Sequence, residues 1–258
     1  MVMLSTRAET GRRSIRAVQP TAPSDLLGHT RHAAQVRPTL SATPTARLVP
    51  LMTPKARHDD LTKFAGQPRA DWWAELPELG SRALTLRELR PSDAAALVRV
   101  LRSPAVERYL SPGPATLDEA SSFIGWTHRA REAGRYLGFG VVPNGGTEPV
   151  GLFQIWPLEP TFRTAEWGFA LAHSFWGPGL FGQSARLVAD FAFDTLGAAR
   201  IEARAAAEND RGNAALRKLG FEQEGRLRRC FECTGGVVRD HLLWSLLDDD
   251  WQRVRATV

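Results

Sequence analysis

The sequence predicts a mixed α/β domain of three layers, with helices packed on a largely antiparallel central sheet. Three observations predict it. Segments that alternate apolar and polar residues are interleaved with segments of helical period, not segregated from them. Asn144-Gly145 and Gly235-Gly236 sit between neighbouring strand-like segments as hairpin turns, which makes those pairs antiparallel. Between Ala165 and Phe193 an apolar strand runs through a glycine-rich turn directly into a helical pattern.

Length and composition set the frame. At 258 residues with 43% apolar content, one domain with an extension is expected. No run of about 18 apolar residues occurs, so no transmembrane helix is expected, and no signal-type apolar region stands near Met1. The two cysteines, Cys230 and Cys233, argue against a disulfide framework. A single CxxC without a second pair cannot close a four-ligand zinc site, so no metal is expected. A cytoplasmic location is the expectation. The net charge of +5 is unevenly placed. Residues 1–70 carry eleven Lys/Arg against four Asp/Glu, whereas the remaining 188 carry 22 against 24. The basicity therefore belongs to the extension, and a nucleic-acid face on the folded body is not supported.

Residues 1–70 mix Arg, Ser, Thr, Pro and Ala without a sustained period and read as a disordered basic extension. Three explanations stay open: a non-functional extension with a later start such as Met52, an Arg-rich targeting segment, or a basic tail that touches an anionic partner. The folded domain is expected over 71–258. Trp72, Trp73 and Leu76 make a packed lead-in. Ala83 to Leu89 alternates as a half-buried strand. Pro91-Ser92-Asp93 opens a helix through Leu101, and Thr116-Leu117-Asp118-Glu119 is a capping box for a second helix, stopped at Gly134. Strands follow at Tyr136–Val142, Pro149–Leu158 and Thr164–Leu171, then a helix at Gln183–Thr195 and a strand at Arg200–Ala206. A short helix ends at Leu219 before Gly220, and a hairpin of Phe221–Phe231 with Val237–Leu247 precedes a terminal helical turn from Asp248.

The turn Trp176-Gly177-Pro178-Gly179-Leu180-Phe181-Gly182 is the most informative segment. The first N–H groups of a helix have no intrahelical partner and carry partial positive charge. A glycine loop in front of them can hold an anionic phosphate. Taken alone the loop is equally a tight turn. It gains meaning from Asn209, fourteen residues past the predicted helix, and from Gly220-Phe221, eleven residues further, which closes Asn213-Ala214-Ala215-Leu216-Arg217-Lys218-Leu219.

Together with Leu86-Arg87-Glu88-Leu89-Arg90-Pro91-Ser92-Asp93 and Ala165-Glu166-Trp167-Gly168-Phe169, this ordered set resembles the GNAT superfamily of N-acetyltransferases, in its RimJ/RimL-type branch. The resemblance spans Ala83 to Trp251. It implies a GNAT fold with a mixed, mostly antiparallel sheet splayed between its fourth and fifth strands, and acetyl transfer from acetyl-CoA to a primary amine. It implies that Phe169, Ala170 and Leu171 meet the pantetheine arm. It implies that Gly177, Gly179, Leu180, Phe181, Gly182 and Gln183 surround the pyrophosphate, and that Asn209 and Asn213 contact the cofactor. Asn209 and Glu166 are the catalytic candidates. An alkylamine is mostly protonated at neutral pH, so a base is needed, and Glu166 adjoins the splay. A strand glutamate can equally face solvent or pair with an arginine.

The branch implies a protein N-terminal amine as acceptor, as in ribosomal-protein acetylases, or a small amine; a homodimer is allowed. A non-catalytic acyl-CoA-binding module is the alternative. Departures from the family pattern motivate it. Phe181 stands where Gly or Ala is usual, Pro178 lacks an N–H, and Gly212 and Leu216 replace hydroxyl residues that protonate the leaving thiolate. Tyr109, Trp126, Phe153 and Trp156 are candidates for an acceptor pocket as well as for the core. His173 precedes the loop and is read as exposed.

Overall fold

The computed structural model describes residues 71–256 apart from Pro178. The basic extension 1–70 lies outside the described residues. Eight strands form a single sheet in the order β1-β2-β3-β4-β5-β6-β8-β7. They are β1 (Leu79–Gly80), β2 (Leu84–Glu88), β3 (Leu137–Pro143), β4 (Gly151–Pro157), β5 (Thr164–Leu171), β6 (Arg200–Ala206), β7 (Glu222–Cys233) and β8 (Val237–Leu247). Every neighbouring pair is antiparallel except β5 and β6, which run parallel. The strands expected to splay as the fourth and fifth are β5 and β6 here, because the short β1 adds an edge strand. Helices are α1 (Ala94–Leu101), α2 (Pro104–Glu107), α3 (Leu117–Glu132), α4 (Leu180–Asp190), α5 (Asp210–Lys218) and α6 (Asp248–Ala256). No helix among the described residues is long and apolar enough to cross a membrane.

Local chemistry accounts for the helix starts. Asp93 is buried and binds Arg87 (Nη1–Oδ2 2.7 Å) and the Arg90 N–H (2.7 Å), fixing the turn ahead of α1. Thr116 accepts from the Glu119 N–H at 3.2 Å while Glu119 accepts from the Thr116 N–H, so the expected capping box forms. Gly197, at φ 71, closes the π-helical extension Phe191–Leu196 that continues α4.

Side chains alternate across the sheet, so it has two packed faces. Phe139, Phe153, Trp167 and Phe169 meet Phe191, Phe181 and Phe221, which places α4 and α5 on that face. On the other face a Cβ at Gly140 would touch Leu89 and one at Gly138 would lie against Thr127, so α3 and the approach to α1 cover it. Trp72 and Leu76 are buried in the same core, and Trp72 packs edge-on to Phe162 (5.3 Å).

Candidate active site

The sheet opens between β5 and β6. Their parallel pairing runs from Thr164↔Arg200 to Trp167↔Ala203 and stops, although β5 continues to Leu171 and β6 to Ala206. β4 stays paired to β5 as far as Gly151↔Leu171. Among the described residues, the stretch Gly168–Leu171 therefore has one edge with no strand partner, turned toward the gap. Phe169, Ala170 and Leu171 lie on it as expected. The Leu171 carbonyl is already used, since it accepts from the Trp176 indole Nε1 at 2.7 Å.

The glycine loop continues from that strand end. Gly177 (φ 112) and Gly179 (φ 82) take left-handed backbone that disfavours any side chain, and a Cβ at Gly177, Gly179 or Gly182 would find nothing within 4 Å. The loop is thus an open cradle at the start of α4. The helix begins at Leu180, three residues before the expected Gln183, because Gly179 supplies the N-cap turn. Leu180, Phe181 and Gly182 form the first turn, whose N–H groups have no intrahelical acceptor. Gln183 stands differently. Its N–H donates to the Gly179 carbonyl (3.1 Å) and its Oε1 accepts from Ser81 Oγ (2.8 Å). The Phe181 side chain packs on Phe169 (4.4 Å) and Phe153 (6.0 Å).

Sequence reasoning missed Arg211. From the first turn of α5 its guanidinium lies 5.2 Å from the centroid of the Trp176 ring, bringing a cation to the loop. His173 is exposed and packs edge-on to the same indole (4.6 Å). Asn209 is buried at the end of β6, where its side chain caps α5 by accepting from the Gly212 N–H (3.0 Å). Asn213 is bonded at both ends of its amide: Nδ2 to the Ala206 carbonyl (3.0 Å) and Oδ1 from Trp244 Nε1 (3.0 Å). It braces β6 against β8. Leu216 is fully buried in the core, so that position offers no proton donor.

Glu166 is buried at the last register but one before the gap, and its Oε2 lies 2.9 Å from Arg204 Nη1. A ladder of alternating charge continues across the sheet. Arg204 reaches Glu202 (3.4 Å), Glu202 reaches Arg200 (3.1 Å), and Arg200 grips Glu224 with both nitrogens (2.8 and 2.5 Å). Arg200 first and Ser245 next hold the Glu224 carboxyl down at about 2.

The expected aromatic set divides. Trp126 joins Tyr136 (4.7 Å) and Tyr136 stacks on Trp156 (6.4 Å), on the face with Glu166. Tyr136 donates its hydroxyl to Gln154 Oε1, and burial raises its phenol well above the usual 10.0. Phe153 is corrected to the opposite face, because alternation along β4 turns it to Trp167 and Phe169. Tyr109 stands apart, its ring under the guanidinium groups of Arg108 (4.5 Å) and Arg239 (5.8 Å). Cys230 is exposed and Cys233 buried, both as free thiols.

A gap between two parallel strands, followed by an open glycine cradle and an uncapped helix start, suits an elongated ligand ending in phosphates. The family model described as acetyltransferase (GNAT) domain matches residues 83–222, which include all of these elements. The chain belongs to the GNAT acetyltransferases. The uncharacterized N-acetyltransferase p20 of Bacillus licheniformis is 28% identical over 174 residues, 67% of this chain and 97% of the relative. The RimJ protein of Mycobacterium smegmatis, solved in complex with CoA-disulfide, superposes with a TM-score of 0.61 at 25% identity, covering 70% of this chain and 94% of that one. The spermidine N(1)-acetyltransferase of Escherichia coli strain K12 is 30% identical over 88 residues, 34% of this chain and 47% of the relative. This GNAT chain is accordingly an acyltransferase that uses acetyl-CoA, and the gap and cradle fit that donor.

Proposed function

We propose that this GNAT enzyme moves the acetyl group of acetyl-CoA directly to a primary amine, and that its acceptor is a protein N-terminal amine in the manner of the RimJ/RimL branch. The observation that supports direct transfer is the gap between β5 and β6. It admits a donor from the α4–α5 face and an acceptor from the α1–α3 face, with nothing covalent in between. The RimJ structural relative supports the branch. The spermidine-acetylating relative keeps a small amine as the second reading.

Acetyl-CoA supplies the activated thioester when bound. The unpaired edge of β5 at Phe169–Leu171 holds the pantetheine arm and presents a backbone N–H to the carbonyl that gains negative charge, a preorganised donor of the kind that commonly dominates catalysis. The amides of Leu180, Phe181 and Gly182 hold the pyrophosphate. Asn209 positions the start of α5 beside it. Glu166 draws the proton from the amine through water, and Arg204 fixes the carboxylate for that task. Gly212 and Leu216 carry no hydroxyl, so water protonates the departing thiolate.

The test is thiol release with saturating acetyl-CoA against N-terminal peptides, alkylamines and polyamines, with the acetylated atom located by mass spectrometry. Acetylation of peptide α-amines supports the reading. Acetyl-CoA binding without release on any acceptor overturns it in favour of a binding module.

A further inference from the structure

Buried polar atoms without a partner gather at one place beside the gap. Arg204 Nε, Arg239 Nε and both ring nitrogens of His241 are buried and make no hydrogen bond within the described protein. All three side chains share a face. His241 stands opposite Ala206 in the β6–β8 register, Arg204 is two residues back along β6, and Arg239 two residues back along β8. That face is the one that carries Glu166, opposite α4 and α5. Arg204 is the first β6 residue beyond the last pair with β5, so the Arg204 end of the cluster borders the gap, with His241 and Arg239 one strand further on β8. Buried polar groups are nearly always satisfied, and such a concentration of unmade bonds points to a ligand.

Arg108, Arg204 and Arg239 stand at this corner against Glu166, Glu202 and Glu208, while the Arg226–Asp240 pair lies on the opposite face, Arg226 standing across from Leu242 in the β7–β8 register. Those four carboxylates are all engaged. Glu166 and Glu202 bind Arg204, Glu208 lies 3.5 Å from Arg239, and Asp240 accepts from Arg226 Nε (2.9 Å) and the Arg229 N–H (2.7 Å). Arg108 Nη2 donates to the Tyr109 hydroxyl (2.8 Å). Arg229, at φ 47, belongs to an irregularity that inserts residues 228–230 beside His241 and Arg239. His241 stays neutral down to about 4, through burial first and the Arg204 charge next, with Glu208 opposing and Arg239 adding. Tyr109 roofs the corner, its hydroxyl on the Glu208 carbonyl (3.3 Å).

We propose that Arg204, Arg239 and His241 bind a carboxylate carried by the acceptor, so that the preferred acceptor is an amine with an anionic carboxylate close to it. The inference rests on the acetyl-transfer reading above and names what that site selects. The Nε–H groups of Arg204 and Arg239 and the single N–H of the neutral His241 require oxygen lone pairs. A polyamine offers only N–H groups and positive charge, and it meets arginines whose neighbouring carboxylates are already taken. An amino-terminal segment with Asp or Glu in its first residues satisfies the donors, and so does a free α-amino acid.

The experiment uses the full chain with saturating acetyl-CoA and matched acceptors: peptide amides beginning Ala-Glu, Ala-Gln and Ala-Lys, free alanine and glutamate with their amides, and spermidine. The expected result is a kcat/KM at least about tenfold higher for Ala-Glu than for Ala-Gln, lower still for Ala-Lys and spermidine, with the advantage shrinking as salt is raised. A preference for free amino acids over their amides, with Ala-Glu and Ala-Gln equal, also supports the proposal and identifies the α-carboxylate as the group bound. R239Q should raise KM for the Ala-Glu peptide and cut its advantage below about threefold, and Arg239→Lys should restore most of it, which a merely structural arginine would not show. Equal rates for acids and their amides across the panel, or spermidine as best acceptor, overturns the proposal and leaves acetyl transfer standing. No thiol release from any acceptor overturns both.

Discussion

Trp176 donates its indole N–H to the Leu171 carbonyl at 2.7 Å, folding the glycine loop back onto the end of the strand it leaves. The bond couples the two halves of the donor site, the β5 edge and the α4 start. Trp176→Phe keeps an aromatic ring and removes the donor. A typical hydrogen bond is worth about 1 kcal/mol, so KM for acetyl-CoA should rise roughly fivefold while kcat changes less. An unchanged KM would mean that the loop holds its place without this bond.

Arg211 lies over that same indole and brings a cation to a loop that has no Lys or Arg of its own. Arg211→Ala should weaken acetyl-CoA binding by a few fold at low salt, an exposed cation being worth about 0.5–1 kcal/mol. The loss should fade at high ionic strength. Titration calorimetry at two salt concentrations decides it: a salt-independent loss points to packing instead of charge.

Glu166→Gln tests the base. Its carboxylate bonds Arg204 at 2.9 Å, and the amide keeps shape and an acceptor oxygen. Turnover at neutral pH should fall about 100-fold, with the gap to wild type closing as pH rises and the free amine appears unaided. Unchanged turnover and pH profile would remove the assignment.

Gly151 pairs with Leu171 where β5 borders the gap. A Cβ there would lie 2.7 Å from the Ala170 carbonyl and 2.8 Å from Leu171 Cδ1. Gly151→Ala must push the β5 end aside, so we expect a loss of about 2 kcal/mol, roughly 6 °C in Tm. Acetyl-CoA affinity should fall with it. A Tm within a degree of wild type would show that the strand shifts without strain.

Acid stability has a defined window. A histidine in the unfolded chain takes its proton near 6.5, and the buried His241 does so only near 4. Its contribution is complete above pH 6.5, is lost as pH falls from 6.5 to 4, and changes no further below, in total roughly 3 kcal/mol. Glu224 adds a second loss between its ordinary 4.5 and about 2, softened because the carboxylate is 41% exposed. Urea midpoints at pH 7, 5.5 and 4.5 should therefore fall for the wild type and stay nearly level for His241→Gln. A variant with the wild-type slope would clear His241 of responsibility.

What was legible in the sequence was local. The Thr116–Glu119 capping box, the strand Thr164–Leu171 and the strand Arg200–Ala206 follow from contiguous residues and stand where periodicity puts them. The order of strand, glycine loop and helix placed Phe169–Leu171 and Leu180–Gly182 together for the same reason. The four-residue α2 and two-residue β1 were invisible because neither is long enough to show a period. The side-chain direction of Phe181 and the bracing role of Asn213 depend on Phe169 and Trp244, partners distant in sequence. Arg204, Arg239 and His241 converge only because β8, and not the sequence-adjacent β7, pairs with β6, a register that no neighbouring residues encode.

The position of β8 between β6 and β7 also sets a timetable. β8 follows β7 in the chain yet lies inside it in the sheet, so until residues 237–247 have emerged β6 presents an open flank and β7 has nowhere to dock. A truncation that reaches residues 237–247 would strip out a middle plank, not an outer one. Nascent or prematurely terminated chains should therefore be sticky and inert, and newly made protein should gain its acetylating competence in one late step.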